Sequence, residues 1–299
     1  MHVTRALSSL SSLALLGALL SVTVPPSSAR ACAACGCGDP TLTVMGSEQP
    51  FAGRFRLGLR LRLRGDRIDD VHILEGRSDL TVAWSPLDVL TLSVEAPAVY
   101  RSVAIPNART REALSFGDVE ARARWFVYRD RAFAPRHLLA LVGGLSMPTG
   151  RASSEDAGLP EDALAGTGVW SPLLGVSYSY FARPYSLFAS VAGYARLGMA
   201  NGESPGESLR FTTAAQYQAT EAVGLRLSVD GRVDGRARMQ GEPREAGTGG
   251  TILFAGADVV LSPMTDLIVV AGFRVPVVQA LAGSHVETML GEVTVAADL

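Results

Sequence analysis

The stretch "RFRLGLRLRLRG", residues 54–65, places arginine at positions 54, 56, 60, 62 and 64 and leucine or phenylalanine at 55, 57, 59, 61 and 63. A period of two is the period of a β-strand, whose successive side chains leave opposite faces. One face of this segment is therefore apolar and the other cationic. A nucleic-acid stripe would account for the arginines but not for the greasy face behind them. The net charge of −2 also does not fit a basic nucleic-acid binder. A strand with lipid on one side and a polar lumen on the other needs both faces at once.

The same alternation recurs along the chain. From Phe51 onward about twelve segments read as strands rather than helices. Leu80, Val82 and Trp84 form one apolar face, and Leu90, Leu92 and Val94 a second. Val119, Ala121, Ala123, Trp125 and Val127 alternate with Asp118, Glu120, Arg122 and Arg124. Leu209, Phe211, Thr213 and Tyr217 form another face, as do Leu225, Leu227 and Val229. Weaker segments of the same kind lie near 137–147, 169–181, 185–199, 251–261, 267–277 and 286–299. Each runs to about ten residues, the length a tilted strand needs to cross a bilayer. Strands of soluble sandwiches are nearer five or six residues, by rough average.

The connections alternate between tight and long. The tight ones are 85–88, 129–136, 182–184, 220–223 and 262–266; the long ones are 65–75, 101–116, 148–166, 200–207, 235–250 and 278–285. Gly, Pro, Ser and charged residues fill the long ones, as loops require. Two tight turns open with Ser-Pro, where proline cannot donate to a ladder. Trp84, Trp125, Tyr128, Tyr180, Phe181, Tyr185 and Tyr217 lie near tight turns, which suggests an aromatic girdle at a membrane–water boundary. This predicts an all-β fold, a transmembrane antiparallel up-and-down β-barrel of twelve strands over 51–299, with both termini at the tight-turn end.

In such a barrel the non-lipid faces line the lumen. The residues so placed are Arg54, Arg56, Arg60, Arg62, Arg64, Asp79, Glu95, Asp118, Glu120, Arg122, Arg124, Arg210, Arg226, Asp230, Asp258 and Glu292. Closure puts the last strand beside the first. The arginines at 56, 60 and 62 should then meet Glu292 or Asp298 on one side and Asp79 on the other.

Residues 1–31 read as a secretory signal peptide. His2 and Arg5 precede an apolar run from Leu13 to Val24, and Ala29 and Ala31 form an A-x-A arrangement before cleavage. Residues 32–50 form a short cysteine-bearing segment expected in the periplasm. Its Cys32, Cys35 and Cys37 have the spacing of a soft-metal site that would suit copper. The same spacing suits a disulfide in an oxidising compartment, or an acylated Cys32. No other cofactor is expected.

Lysine is absent and all 27 basic residues are arginine, which excludes a phosphate-loop nucleotide site. Neither His72, His137 nor His285 has a serine two positions on, so the His-x-Ser arrangement of outer-membrane lipid hydrolases is missing. No enzymatic activity is expected.

The chain ends in "EVTVAADL", where Val293, Val295, Ala297 and Leu299 share a parity, similar to the C-terminal assembly signal of bacterial outer-membrane barrels. With "WSPLDVLTLSV" (84–94) and "LSPMTDLIVVAGF" (261–273), the pattern resembles the outer-membrane transporter barrels grouped with the MetA-like phenol-degradation pathway. The resemblance covers about 51–299 and is architectural, so it assigns no substrate residues. It implies a Gram-negative outer-membrane pore, folded by the barrel-assembly machinery and surrounded by outer-membrane lipid. The implied solutes are small compounds, hydrophobic or aromatic ones included. Two other readings are a structural or binding barrel that uses its external loops, and a barrel whose cysteine segment holds copper.

Overall fold

The computed structural model describes residues 52–68, 70–106, 110–132, 135–150, 166–200, 202–239, 248–264, 266–282 and 285–299. The expected signal peptide at 1–31, the 32–50 segment and its three cysteines lie outside the described residues.

The described chain is all β. Its strands are β1 (Phe55–Ile68), β2 (Val71–Leu87), β3 (Leu90–Ala104), β4 (Arg111–Phe116), β5 (Val119–Arg129), β6 (His137–Met147), β7 (Ser171–Ala182) and β8 (Tyr185–Tyr194). They continue with β9 (Glu203–Ser204), β10 (Ser208–Gln218), β11 (Val223–Asp234), β12 (Arg238–Met239), β13 (Gly250–Met264), β14 (Leu267–Leu281) and β15 (His285–Asp298). β9 and β12 pair only with each other. The remaining thirteen form one sheet that closes through β2–β3 and β1–β15 pairing. β4 and β5 act as one stave broken at Gly117–Asp118. β3 pairs with β4 across Ala98–Val103 and with β5 across Leu90–Glu95. The result is a closed, twelve-staved antiparallel barrel in which neighbours in sequence are neighbours in space.

The stretch 54–65 sits in its first stave. Leu57, Leu59, Leu61 and Leu63 are exposed, while Arg56, Arg60, Arg62 and Arg64 are buried. The same parity holds on β11, where Leu225, Leu227 and Val229 are exposed and Arg226, Ser228 and Asp230 buried. An apolar exterior over a polar interior inverts a soluble core and matches a barrel in lipid. β1 pairs with β15 from Arg56↔Asp298 to Ile68↔His285. Leu299 N donates to Phe55 O at 2.8 Å, so both ends of the barrel chain lie together at the tight-turn end.

Three expectations change. The connection expected at 101–116 is mostly strand, since β3 runs to Ala104 and β4 spans Arg111–Phe116. The connections expected at 65–75 and 278–285 are short, because β1 and β2 run on to Ile68 and from Val71, and β14 and β15 to Leu281 and from His285. Asp66 and Glu75, which read as loop there, are buried inward members of long strands, as is His285. Phe181, expected in the girdle, points inward instead, with its ring 5.8 Å from that of Phe188 in an edge contact. Trp84, Trp125, Tyr128, Tyr185 and Tyr217 are exposed on the outer face near the tight turns.

A charge in mid-strand on the lipid side should block assembly where a lumen charge does not. Leu61→Arg should cost about 2–4 kcal/mol, the range for arginine near a bilayer midplane. It should deplete the heat-modifiable folded band in membrane fractions, with Leu61→Ala as the control that keeps it.

Candidate functional site: an ionic lumen with one apolar wall

β1 carries a ladder of guanidinium groups along the lumen, and each rung meets a carboxylate. At the terminus end, Arg56 binds Asp298 in a two-point contact, Nε to Oδ1 at 2.5 Å and Nη2 to Oδ2 at 2.7 Å. Arg54 pairs with the same carboxylate. Such fork-to-fork geometry is the strongest form of the Arg–carboxylate bond. At mid-height, the fully buried Asp79 accepts from Arg62 Nη2 (2.7 Å), Arg77 Nε (2.6 Å) and Arg60 Nε (3.3 Å). Arg60 also reaches past β2 to Glu95 on β3, at 2.9 Å.

A second group faces the lumen from β10, β11, β13 and β14. Asp230 accepts from Arg274 Nε (2.8 Å), Thr212 Oγ1 (2.8 Å) and Ser228 Oγ (3.1 Å). Arg226 Nε donates to Asp258 at 2.8 Å. Gly272, paired with Asp258 in register, leaves that carboxylate its space, since a Cβ there would stand 2.0 Å from Asp258 Oδ1. Arg274 Nη1 lies 3.7 Å from Glu292, which faces Arg62 in the β1–β15 register.

Toward the other end the two groups join. Glu287 on β15 accepts from Arg232 Nη2 on β11 at 2.6 Å and lies 3.5 Å from Arg64 Nη1 on β1. β13 and β14 lie between β15 and β11, so the Arg232–Glu287 bond crosses a chord of the lumen. Arg64 also contacts Asp66 (2.8 Å) and Glu75 (3.5 Å), and Glu75 holds Arg101 Nη2 at 2.5 Å. Between these groups lies a cavity of about 50 Å³, bounded among others by Arg62, Arg210, Asp230, Arg274 and Leu290. The space is large enough to hold water among these charges.

The opposite wall is different. β6 turns Leu138, Ala140 and Val142 inward, and all are buried. Leu173, Ser177 and Ser179 of β7 and Phe188, Ala192 and Tyr194 of β8 continue this wall. Phe126 and Phe181 pack against Leu138 and Ala140. Arg122 and Glu120 pair with each other where the two walls meet, and Arg124 lies half-buried on the same strand. On the far border, the buried Arg210 guanidinium lies 4.4 Å from the Tyr194 ring centroid.

Of the residues singled out in the sequence, those on β1, β2, β3, β10, β11, β13 and β15 enter these contacts. Asp118 is engaged differently. Its carboxylate accepts from Gly150 N (3.0 Å), Thr167 N (2.6 Å) and Thr167 Oγ1 (2.6 Å). It thereby ties the two ends of the β6–β7 connection to the β4–β5 break, rather than facing a lumen arginine. Sequence reasoning missed Glu75, Arg101, Arg232, Arg274 and Glu287. Arg232 and Arg274 continue the even parity of their strands and were readable. Glu287 was not, because the β1–β15 register shifts between Arg64 and Asp66 and puts odd and even residues of β15 inward on either side of the bulge.

No protein-family model matches the sequence, and neither does any curated protein. Among solved structures, the fold is similar to an outer membrane channel from Pseudomonas putida F1, with TM-score 0.71 and 11% identity over 86% of this chain and 100% of that one. Similarity at TM-score 0.49 is found with the β domain of the Bordetella autotransporter BrkA, 10% identical over 83% of this chain and 100% of that one. The monoaromatic hydrocarbon channel CymD gives TM-score 0.42 and 9% identity over 83% of this chain and 89% of its own. At these identities the shared property is the fold.

Asp79 gathers three guanidinium groups, so its loss should be felt widely. Breaking a buried ion pair from one side costs about 3–5 kcal/mol. Asp79→Leu should lower the denaturant midpoint of the detergent-folded barrel accordingly. Arg62→Leu added to it should restore part of the loss, since one stranded charge is then removed.

Proposed function

We propose that this protein is a passive channel for small solutes in the outer membrane of a Gram-negative bacterium. The observation that carries this reading is the ionic lining, which follows β1 from Arg54 at the terminus end to Arg64 near the other. Filling a barrel with ion pairs is a poor way to stabilise it, because apolar packing of similar volume is often as good or better. A polar lining that persists along the lumen is what solute passage needs. The fold shared with a solved outer membrane channel supports the reading.

The solutes are small, and hydrophobic or aromatic ones are among them. The family resemblance of the sequence and the apolar wall of β6–β8 support this, since a solute with an apolar face can travel along that wall while water and ions keep to the other side. The chain is not an enzyme in this reading. Its outer surface meets outer-membrane lipid, and its tight turns and both termini face the periplasm, after export by the signal peptide and folding by the barrel-assembly machinery. The chord from Arg232 to Glu287 makes the lumen narrow, so openings are small.

Planar-bilayer recording of the purified full-length protein tests this directly. Discrete openings of low conductance are expected, and Glu287→Gln should enlarge them by loosening the chord. A folded, heat-modifiable preparation that never opens would overturn the reading.

A further inference from the structure

The outer face of the barrel is not evenly filled. Across β8, β10, β11, β13 and β14 it holds a groove of about 570 Å³. Ala215, Ala257 and Ala271 lie at its floor. Their register partners on the same face are long: Leu187 and Leu227 beside Ala215, Leu227 and Phe273 beside Ala257, and Val259 beside Ala271. Short side chains set among long ones leave a hollow, and no described part of the chain fills it. Arg226 and Asp258 stand behind the floor, but their side chains turn to the lumen and bond each other at 2.8 Å. The groove itself is apolar, and it opens toward lipid.

Its tight-turn end has a different chemistry. Tyr185 and Tyr217 border the groove there, pair in register and hold their rings 5.4 Å apart. Tyrosines so placed mark the boundary between hydrocarbon and headgroups. Just beyond them stand Arg183, on the β7–β8 turn, and Glu221, on the β10–β11 turn. Gln218 ties the two turns together. Its N donates to Pro184 O at 2.7 Å, and its Nε2 donates to Thr220 O at 2.8 Å and reaches Glu221 O at 3.5 Å. Arg183 and Glu221 are exposed, and neither side chain has a hydrogen bond or ion pair among the described residues. Asp266, on the β13–β14 turn, adds a second exposed carboxylate. Arg136 belongs to the β5–β6 turn, on the side of β7 away from the groove. The rim of the groove thus carries one cation, Arg183, and two anions, Glu221 and Asp266. A headgroup that is only anionic meets more repulsion than attraction here. A headgroup with a phosphate and an ammonium joined by a short link meets a guanidinium for the first and a carboxylate for the second.

We propose that this groove holds one phospholipid of the phosphatidylethanolamine class. An acyl chain lies along Ala215, Ala257 and Ala271, the phosphate accepts from Arg183, and the ammonium donates to Glu221. The site rests on the outer face meeting lipid and not on whether the lumen conducts.

The full-length protein, purified in detergent and stripped of lipid, is mixed with phosphatidylethanolamine or phosphatidylglycerol of the same acyl chains and weighed by native mass spectrometry. One phosphatidylethanolamine per barrel should survive removal of the detergent. It should be retained about three-fold better than phosphatidylglycerol, the scale of one exposed ion pair. Ala257→Phe fills the groove and should cut retention of both lipids at least about ten-fold, since contacts to several methylenes are lost. Ala189→Phe makes the same change at an outward position that does not border the groove, and should leave retention as in the parent. Heat-modifiable migration shows that both variants fold. Glu221→Gln should remove the preference between the lipids while one is still retained, and Arg183→Gln should lower retention of both. Absent retention, equal retention by the parent and Ala257→Phe, or equal retention of the two lipids by the parent would overturn the proposal. A dimer of the parent that Ala257→Phe dissolves would overturn it as well and give the groove to a second copy. Bilayer recordings separate this site from the channel reading. Retention without openings leaves the lipid site and removes the channel. Openings without retention leave the channel and remove the lipid site.

Discussion

A peptide group in the hydrocarbon of a bilayer has no water to bond, so every backbone donor and acceptor must find its partner within the chain. For a chain of strands, that demand is met only when the last strand pairs with the first. The rest of this structure follows from the β1–β15 seam. Arg56 meets Asp298 there, and the ladder runs on to Ile68 opposite His285. Because the side-chain period is two, fixing this register decides the direction of every residue on β1. Its leucines face outward and its arginines have only the lumen left to them.

Buried guanidinium groups cannot remain without counter-charges, because the cost of removing an ion from water exceeds what packing returns. The interior answers with carboxylates from strands that are distant in sequence. Asp79 serves Arg60, Arg62 and Arg77, and Glu287 joins β11 to the neighbourhood of β1. The contacts that skip strands, Arg60 to Glu95 and Arg232 to Glu287, hold the wall in shape from within. They also narrow the lumen on the charged side, and an apolar wall on β6, β7 and β8 faces them. The interior is therefore divided along its length rather than uniformly polar.

Legibility in the sequence followed contrast. Residues 59–64 of β1 and 225–230 of β11 could be read one by one, since each inward position there is polar and each outward one apolar. β6 could not, because Leu138, Ala140 and Val142 point inward while Leu139 and Leu141 point outward, and both sets are apolar. The apolar wall was invisible for that reason. Strand ends at 65–75 and 278–285 read as loops because Gly65 and the charges after it, and Gly283 and Ser284, have the composition of loops, although Asp66 and Glu75 continue the lumen lining. Glu287 escaped because a bulge reverses the parity of β15, and no residue type announces that shift. Asp118 shares the parity of the inward residues of β5, but it stands just before that strand begins, where the inward parity changes between β4 and β5. The break at Gly117–Asp118 frees it to hold Thr167 and Gly150 instead.

The division of β1 into a lipid face and a lumen face is the claim on which all else stands. Nitroxide labels placed singly from position 59 to 63, in a background with Cys32, Cys35 and Cys37 replaced by alanine, can be read in bilayers for collisions with oxygen. Oxygen concentrates in lipid, so the account predicts high accessibility at 59, 61 and 63 and low accessibility at 60 and 62. A flat profile, or one with the phases exchanged, would contradict it.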